Sequence, residues 1–182
     1  MRRALDKYYT PLALFQFILD EYDYCISQEP VVIDPCCGPN PCKQLGREVI
    51  SNDIDTTLEA DTYCDATEDT LWEWLGEHYN GAWVITNPPF NVAFPIVKQA
   101  VDQGFKCAFL LRLSFLEPTK ARGQWLANNP PTAIHIMPRV SFTGDGKTDS
   151  STCAWMVWDQ RTGRQKIDIV PRSTLLDRGQ QS

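Results

Sequence analysis

Short apolar runs alternate with helical stretches along most of the chain. Val31-Val32-Ile33-Asp34, Val49-Ile50-Ser51-Asn52-Asp53, Ala82-Trp83-Val84-Ile85-Thr86 and Cys107-Ala108-Phe109-Leu110-Leu111 are the short, largely apolar runs expected of strands covered on both faces. Tyr63-Cys64-Asp65 is a weaker third strand in that series. Residues 11–20 read as a helix with Thr10 as N-cap and Pro11 in its first position. Further helices are expected from Thr67-Glu68-Asp69 onward, carrying Leu71, Trp72, Trp74 and Leu75, and over about 91–103 and 119–127. Only a stunted helix fits between the first two strands. The last third changes character: strands at 133–137 and 153–158 flank a polar, glycine-containing loop at 143–150. A βαβ series that closes in a strand pair predicts a single α/β domain, a mostly parallel seven-stranded sheet with an antiparallel edge strand. The polar tail from about Ser173 reads as flexible.

Composition narrows the function classes. With 43% apolar and 11% aromatic residues, the 182-residue chain can build a core and is not a disordered segment. No run of 18 apolar residues is present, so neither a membrane span nor a membrane partner is expected. The first residues carry charge without the apolar stretch of a secretory signal. Seven scattered cysteines, an odd number, read as reduced thiols of a cytoplasmic protein. The net charge of −6 argues against a protein that coats nucleic acid. That charge is unevenly spread, however: residues 1–97 hold 5 Lys/Arg against 16 Asp/Glu, and residues 98–182 hold 12 against 7. A basic C-terminal half can face an anionic partner, or simply water.

The candidate chemistry lies where apolar strands stop. Asn87-Pro88-Pro89-Phe90 follows one of them, and its two prolines forbid both strand pairing and entry into a helix. In open α/β sheets the carboxyl ends of strands are where ligands sit. An Asn side-chain oxygen and the Pro88 carbonyl can together accept two hydrogen bonds from one planar NH₂ group, with Phe90 offering a flat face beside it. The other reading of this segment is a rigid turn with an Asn cap. Asp34-Pro35-Cys36-Cys37-Gly38-Pro39-Asn40 ends an earlier strand in the same way.

These two loops, in this order and about 50 residues apart, resemble the class I S-adenosylmethionine-dependent methyltransferases that act on exocyclic nitrogens. Members carry Asp-Pro-x-x-Gly after strand one and Asn-Pro-Pro-aromatic after strand four. Lys7-Tyr8-Tyr9-Thr10-Pro11 is similar to the aromatic-Thr-Pro segment that precedes the cofactor loop in DNA adenine methyltransferases. The resemblance implies a Rossmann-like fold with S-adenosylmethionine as cofactor. It implies that Tyr9, Thr10, Pro11, Asp34, Pro35, Cys36, Gly38, Asp53, Asp65 and Asn87 hold that cofactor, and that Asn87, Pro88, Pro89 and Phe90 form the catalytic loop. Asp53, 19 positions after Asp34, suits the two ribose hydroxyls, with Asp55 as its neighbour and competitor. Asp65 would bond the adenine amino group; its other reading is a helix cap. Relatives usually continue the first loop as Gly-x-Gly into a full helix, whereas this chain has Gly38-Pro39-Asn40-Pro41. Cys36, Cys37 and Cys42 lack zinc-knuckle spacing and a nearby histidine, so no metal is expected. His78 and His135 are given no catalytic role.

Arg139-Val140-Ser141-Phe142-Thr143-Gly144, Lys147-Thr148-Asp149 and Cys153 to Asp159 are similar to small phage and prophage adenine-methyltransferase-like proteins, as is Leu111 to Glu117. That likeness implies N6-adenine methylation of DNA, in a bacterial or phage-infected cell. Phe142 would stack on an extruded base, or be ordinary hairpin core. Arg112, Arg139 and Lys147, with Lys120 and Arg122, would meet phosphates or serve solubility. RNA, cytosine N4 and protein glutamine present the same NH₂ group, and an inactive binding subunit is a further reading. Too little chain follows the fifth strand for a separate recognition domain. A short or relaxed target sequence is therefore expected, or recognition shared with a second copy or a partner subunit.

Overall fold

The computed structural model describes residues 10–29, 31–139, 151–159 and 165–179, with side chains up to residue 176. Tyr9, Phe142 and Lys147 lie outside the described residues. The elements run α1 (Leu12–Glu21), α2 (Asp23–Ile26), β1 (Val32–Asp34), α3 (Pro41–Gln44), β2 (Val49–Ser51), α4 (Asp69–His78), β3 (Trp83–Thr86), α5 (Ala93–Asp102) and β4 (Lys106–Arg112). After a 3-10 turn at Leu113–Leu116 come α6 (Gly123–Asn128), β5 (Ala133–Ile136), β6 (Cys153–Trp158), β7 (Lys166–Ile169) and α7 (Arg172–Gly179).

One seven-stranded sheet is formed, ordered β2-β1-β3-β4-β6-β5-β7. The pairs β1–β2, β1–β3, β3–β4 and β5–β7 are parallel, while β6 runs antiparallel to both its neighbours. The reversed strand is thus internal and not at the edge, where the sequence pattern put it. Its six residues are all buried, so flanking it on both sides removes more apolar surface from water than an edge position would. The count of seven is met by a different set of strands. Tyr63-Cys64-Asp65 forms no strand; a single bridge joins Asn52 and Thr62. The seventh strand is instead β7, at the opposite edge beside β5, which the sequence pattern did not predict.

Alternation along β4 sorts the core into two layers. Cys107, Phe109 and Leu111 pack under α4 and α5 with Leu71, Trp72, Leu75, Ile96 and Val97. Ala108 and Leu110 face the other way, against Leu14, Phe15 and Ile18 of α1 and Trp155 of β6. The indole N–H of Trp155 donates to the Leu14 carbonyl at 3.0 Å, tying the first helix to the strand that completes the sheet. α7 packs on α1 with Leu175 buried, over residues whose polarity suggested a loose tail. All seven cysteines are free thiols. Among the described residues no helix is long and apolar enough to cross a membrane.

Candidate active site

The parallel strands β1, β2, β3 and β4 deliver their carboxyl ends to one edge of the sheet, and a cleft of about 610 Å³ opens there. Pro35, Cys36, Gly38, Asp53, Asp65, Asn87, Pro88, Pro89, Phe90 and Arg112 all line it. Five separate chain segments therefore converge on it. Asp55 and Arg122 line it as well. Thr10, Pro11, Asp34 and Arg139 are not part of the lining; Asp34 is buried beneath it and Arg139 is exposed after β5.

The first loop is held from below. Asp34 Oδ1 accepts from the Cys36 N–H at 3.3 Å, while Oδ2 is buried with no hydrogen bond among the described residues. Burial pushes the Asp34 carboxyl up to about 7; the neighbouring Asp53 charge adds to this, and the Thr86 hydroxyl and Cys36 N–H beside it work the other way. Gly38 has a φ of +51°, the left-handed region, and an added Cβ would meet nothing within 4 Å, so glycine is needed here for its backbone. Asn40 is also left-handed, and its side chain caps the short α3 at Lys43 N, which is how two prolines and a four-residue helix replace the longer helix of the usual pattern. Burial raises the Cys37 thiol to about 12 and the Cys36 thiol well above its ordinary value, so both stay protonated.

Asp53 joins this loop to the second strand. Its Oδ2 accepts from Gly38 N at 2.9 Å and its Oδ1 from Asp55 N at 2.9 Å. Each carboxylate oxygen has a second lone pair, so Asp53 can still accept from two hydroxyl groups in the cleft. Asp55 is turned away to Thr57, whose N–H and hydroxyl both bond its Oδ1. Asp65 is held similarly by Thr67, through N–H at 2.9 Å and hydroxyl at 2.7 Å, and lines the cleft from the same turn.

Asn52 is a structural residue that the sequence pattern did not single out. Its side-chain NH₂ donates to the Pro35 and Cys64 carbonyls, and its Oδ1 accepts from Cys64 N and the Thr62 hydroxyl. One buried amide thereby does the work of a strand ladder, positioning the Asp65 turn without a third strand in that half of the sheet. A polar residue at the end of an apolar strand was the available signal, masked by the acid that follows it.

Asn87 leaves the end of β3 with its Nδ2 donating to the Thr10 hydroxyl at 2.7 Å. Its Oδ1 is buried and has no hydrogen-bond partner among the described residues. Thr10 does not cap α1, as the pattern predicted: Pro11 is the N-cap and no side chain bonds the helix end. The Pro89 carbonyl accepts from Val92 N at 3.0 Å, which turns the loop back toward α5. The Arg112 guanidinium lies over the Phe90 ring, 4.7 Å from its centre. Arg122 lies over Phe115 at 5.1 Å and donates to the Ser114 carbonyl at 3.1 Å. Two cations thus stand on the β4 side of the cleft, opposite the carboxylates of Asp53 and Asp65.

The strand order, with four parallel strands sharing a carboxyl edge and a reversed strand inside the sheet, describes a Rossmann-like α/β fold. No family model and no curated protein matches the chain. Among solved structures it is similar to a proposed hemolysin from Lactococcus lactis, with a TM-score of 0.50 and 12% identity over 96% of this chain and 99% of that one. It is also similar to a SAM-dependent methyltransferase from Anabaena variabilis, with a TM-score of 0.47 and 11% identity over 86% and 98%. At 12% identity the first likeness is one of fold alone.

Proposed function

We propose that the protein transfers a methyl group from S-adenosylmethionine to the N6 amino group of adenine in DNA. The observation that carries this reading is the Asn87 Oδ1: a buried acceptor, without a partner, on the wall of a cleft at the carboxyl edge of the sheet. A buried acceptor left open asks for a donor. With the Pro88 carbonyl it can take both N–H bonds of one NH₂ group, turning the nitrogen lone pair away from the ring and toward the cleft.

The residues present fit the cofactor. Asp53 retains acceptor capacity for two ribose hydroxyls, and Asp65 supplies a carboxylate for the adenine amine. The left-handed Gly38 allows the loop backbone to approach a ligand closely. S-adenosylmethionine held there by Asp53, Asp65 and the Gly38 loop would supply an electrophilic sulfonium methyl for the amine, whose extra proton would pass to water. Asn87 and Pro88 orient the nitrogen, Phe90 stacks, and Asp34 stiffens the cofactor loop from beneath. No strong base is needed, because the nitrogen becomes acidic once methylated. Alignment and fixed dipoles carry the rate. Arg112, Arg139 and Lys147 would meet phosphates, Phe142 the second face of the base, and Tyr9 the cofactor.

The test is transfer of labelled methyl groups to duplex DNA, single-stranded DNA, RNA and a protein extract, with Asn87→Ala beside the parent. Label in DNA, recovered as N6-methyladenine and reduced about 10²–10³-fold in the variant, is the expected result. Label in RNA or protein replaces the substrate. No label in any of them overturns the reading.

A further inference from the structure

We infer that Thr10 is a positioning residue for Asn87, supplying the acceptor that lets the amide present its oxygen to the cleft. The inference rests on the methyl-transfer reading of Asn87. A primary carboxamide has nearly the same shape at both ends, so a half-turn exchanges oxygen and NH₂ at little steric cost. Only the oxygen-inward orientation can hold an amino group, because two NH₂ groups facing each other have no acceptor between them. In that orientation the Asn87 NH₂ group points away from the cleft and needs a partner of its own. The Thr10 hydroxyl, 77 positions earlier in the chain, is that partner at 2.7 Å.

Two further observations fit this role. A threonine just before a proline-initiated helix ordinarily caps it, yet α1 has no side-chain cap and the Thr10 hydroxyl goes to Asn87. Thr10 is also absent from the cleft lining, so its route to the reacting group is through Asn87. Valine has the same branched shape without the hydroxyl. Thr10→Val therefore keeps the packing and removes the hydrogen bond that anchors the Asn87 NH₂ group when its oxygen is turned to the cleft.

The experiment measures full-length parent, Thr10→Val and Thr10→Ser for methyl transfer to adenine-containing single-stranded and duplex DNA, and follows the Asn87 side-chain NH₂ by ¹⁵N NMR. Thr10→Val is expected to lower kcat roughly 10- to 100-fold, the effect of one lost buried hydrogen bond, with the cofactor KM unchanged. Thr10→Ser should restore most of the rate. In the spectrum, the Asn87 NH₂ protons should exchange with solvent faster in Thr10→Val than in the parent or Thr10→Ser. A raised cofactor KM at constant kcat, or an unchanged kcat, overturns the inference. So does an unchanged Asn87 signal, whether or not any methyl is transferred. A parent that transfers nothing while Asn87 responds to Thr10→Val overturns the enzymatic reading and with it the catalytic meaning of the contact.

Discussion

On the cleft side of the sheet, Asp34 Oδ2 and Asn87 Oδ1 are buried without a hydrogen bond among the described residues. At the opposite end, polar groups form a chain: Glu21 to Lys166 at 3.1 Å, Lys166 to Asp168 at 2.7 Å, Asp168 to His135 at 3.0 Å, and His135 to the Tyr22 hydroxyl at 3.0 Å. Both regions place polar groups under one continuous sheet: in the first a buried amide oxygen, Asn87 Oδ1, belongs to a residue that lines the cleft, and in the second ion-pair contacts link the groups to one another. A buried acceptor without a donor costs about 1–3 kcal/mol, so keeping Asn87 Oδ1 open on a residue that lines the cleft suits a ligand that brings a donor. This chain of contacts instead staples β7 and β5 to α1.

The contrast extends to pH, with opposite signs. Asp34 is a carboxyl raised to about 7, so the folded protein binds its proton more tightly than the unfolded chain does. Its contribution to stability is greatest below the ordinary carboxylate range and is lost as pH climbs toward 7, amounting to about 4 kcal/mol across that interval. Asp34→Asn should remove this slope, and urea unfolding between pH 4 and 8 would show it; parallel curves for parent and variant would erase the distinction between the two regions. Burial lowers the His135 pKa, outweighing the nearby Glu21 and Asp168 charges, so this group contributes at neutral pH and loses its contribution as the solution is acidified.

A smaller effect sharpens the cleft side. Gly38→Ala forces a Cβ into the left-handed region without any clash, and should lower stability by about 1–2 kcal/mol. Because Gly38 N–H bonds Asp53, calorimetry should also find weaker cofactor binding, whereas unchanged binding would separate the loop from the carboxylate. The smallest effect probes the staple. Asp168→Ala should lower stability by about 1 kcal/mol at neutral pH and leave cofactor affinity untouched. A loss of affinity there would join the two regions that the structure keeps apart.

What could be read from the chain follows the same division. The cleft is made of local signals: an apolar strand stopped by Asn-Pro-Pro, another stopped by Asp-Pro, and an acid after the next. Strand ends brought these together because parallel strands share a carboxyl edge. The staple is not local. His135 meets Asp168 from a strand whose Ile167 and Ile169 are 69% and 79% exposed, so Lys-Ile-Asp-Ile shows none of the buried apolar run that marks the other strands. Likewise, Asn52 replaces a strand by side-chain bonds that no hydrophobic period can signal. The position of β6 was missed because strand order is a tertiary property, and its pattern of six buried residues suits any internal place in the sheet.

That position has a consequence for how the chain is made. β6 lies between β4 and β5 yet is synthesised after both, 41 residues beyond the end of β4. At ordinary ribosomal speed that interval lasts roughly 2–8 s. Throughout it the apolar residues of β4 form an open edge, and β5 has nothing to join it to the first four strands. Assembly order and synthesis order therefore differ. A ribosome stalled before Cys153 would hold out a half-sheet whose unpaired border carries the apolar run Cys107 to Leu111, the condition under which a nascent chain pairs with a stranger.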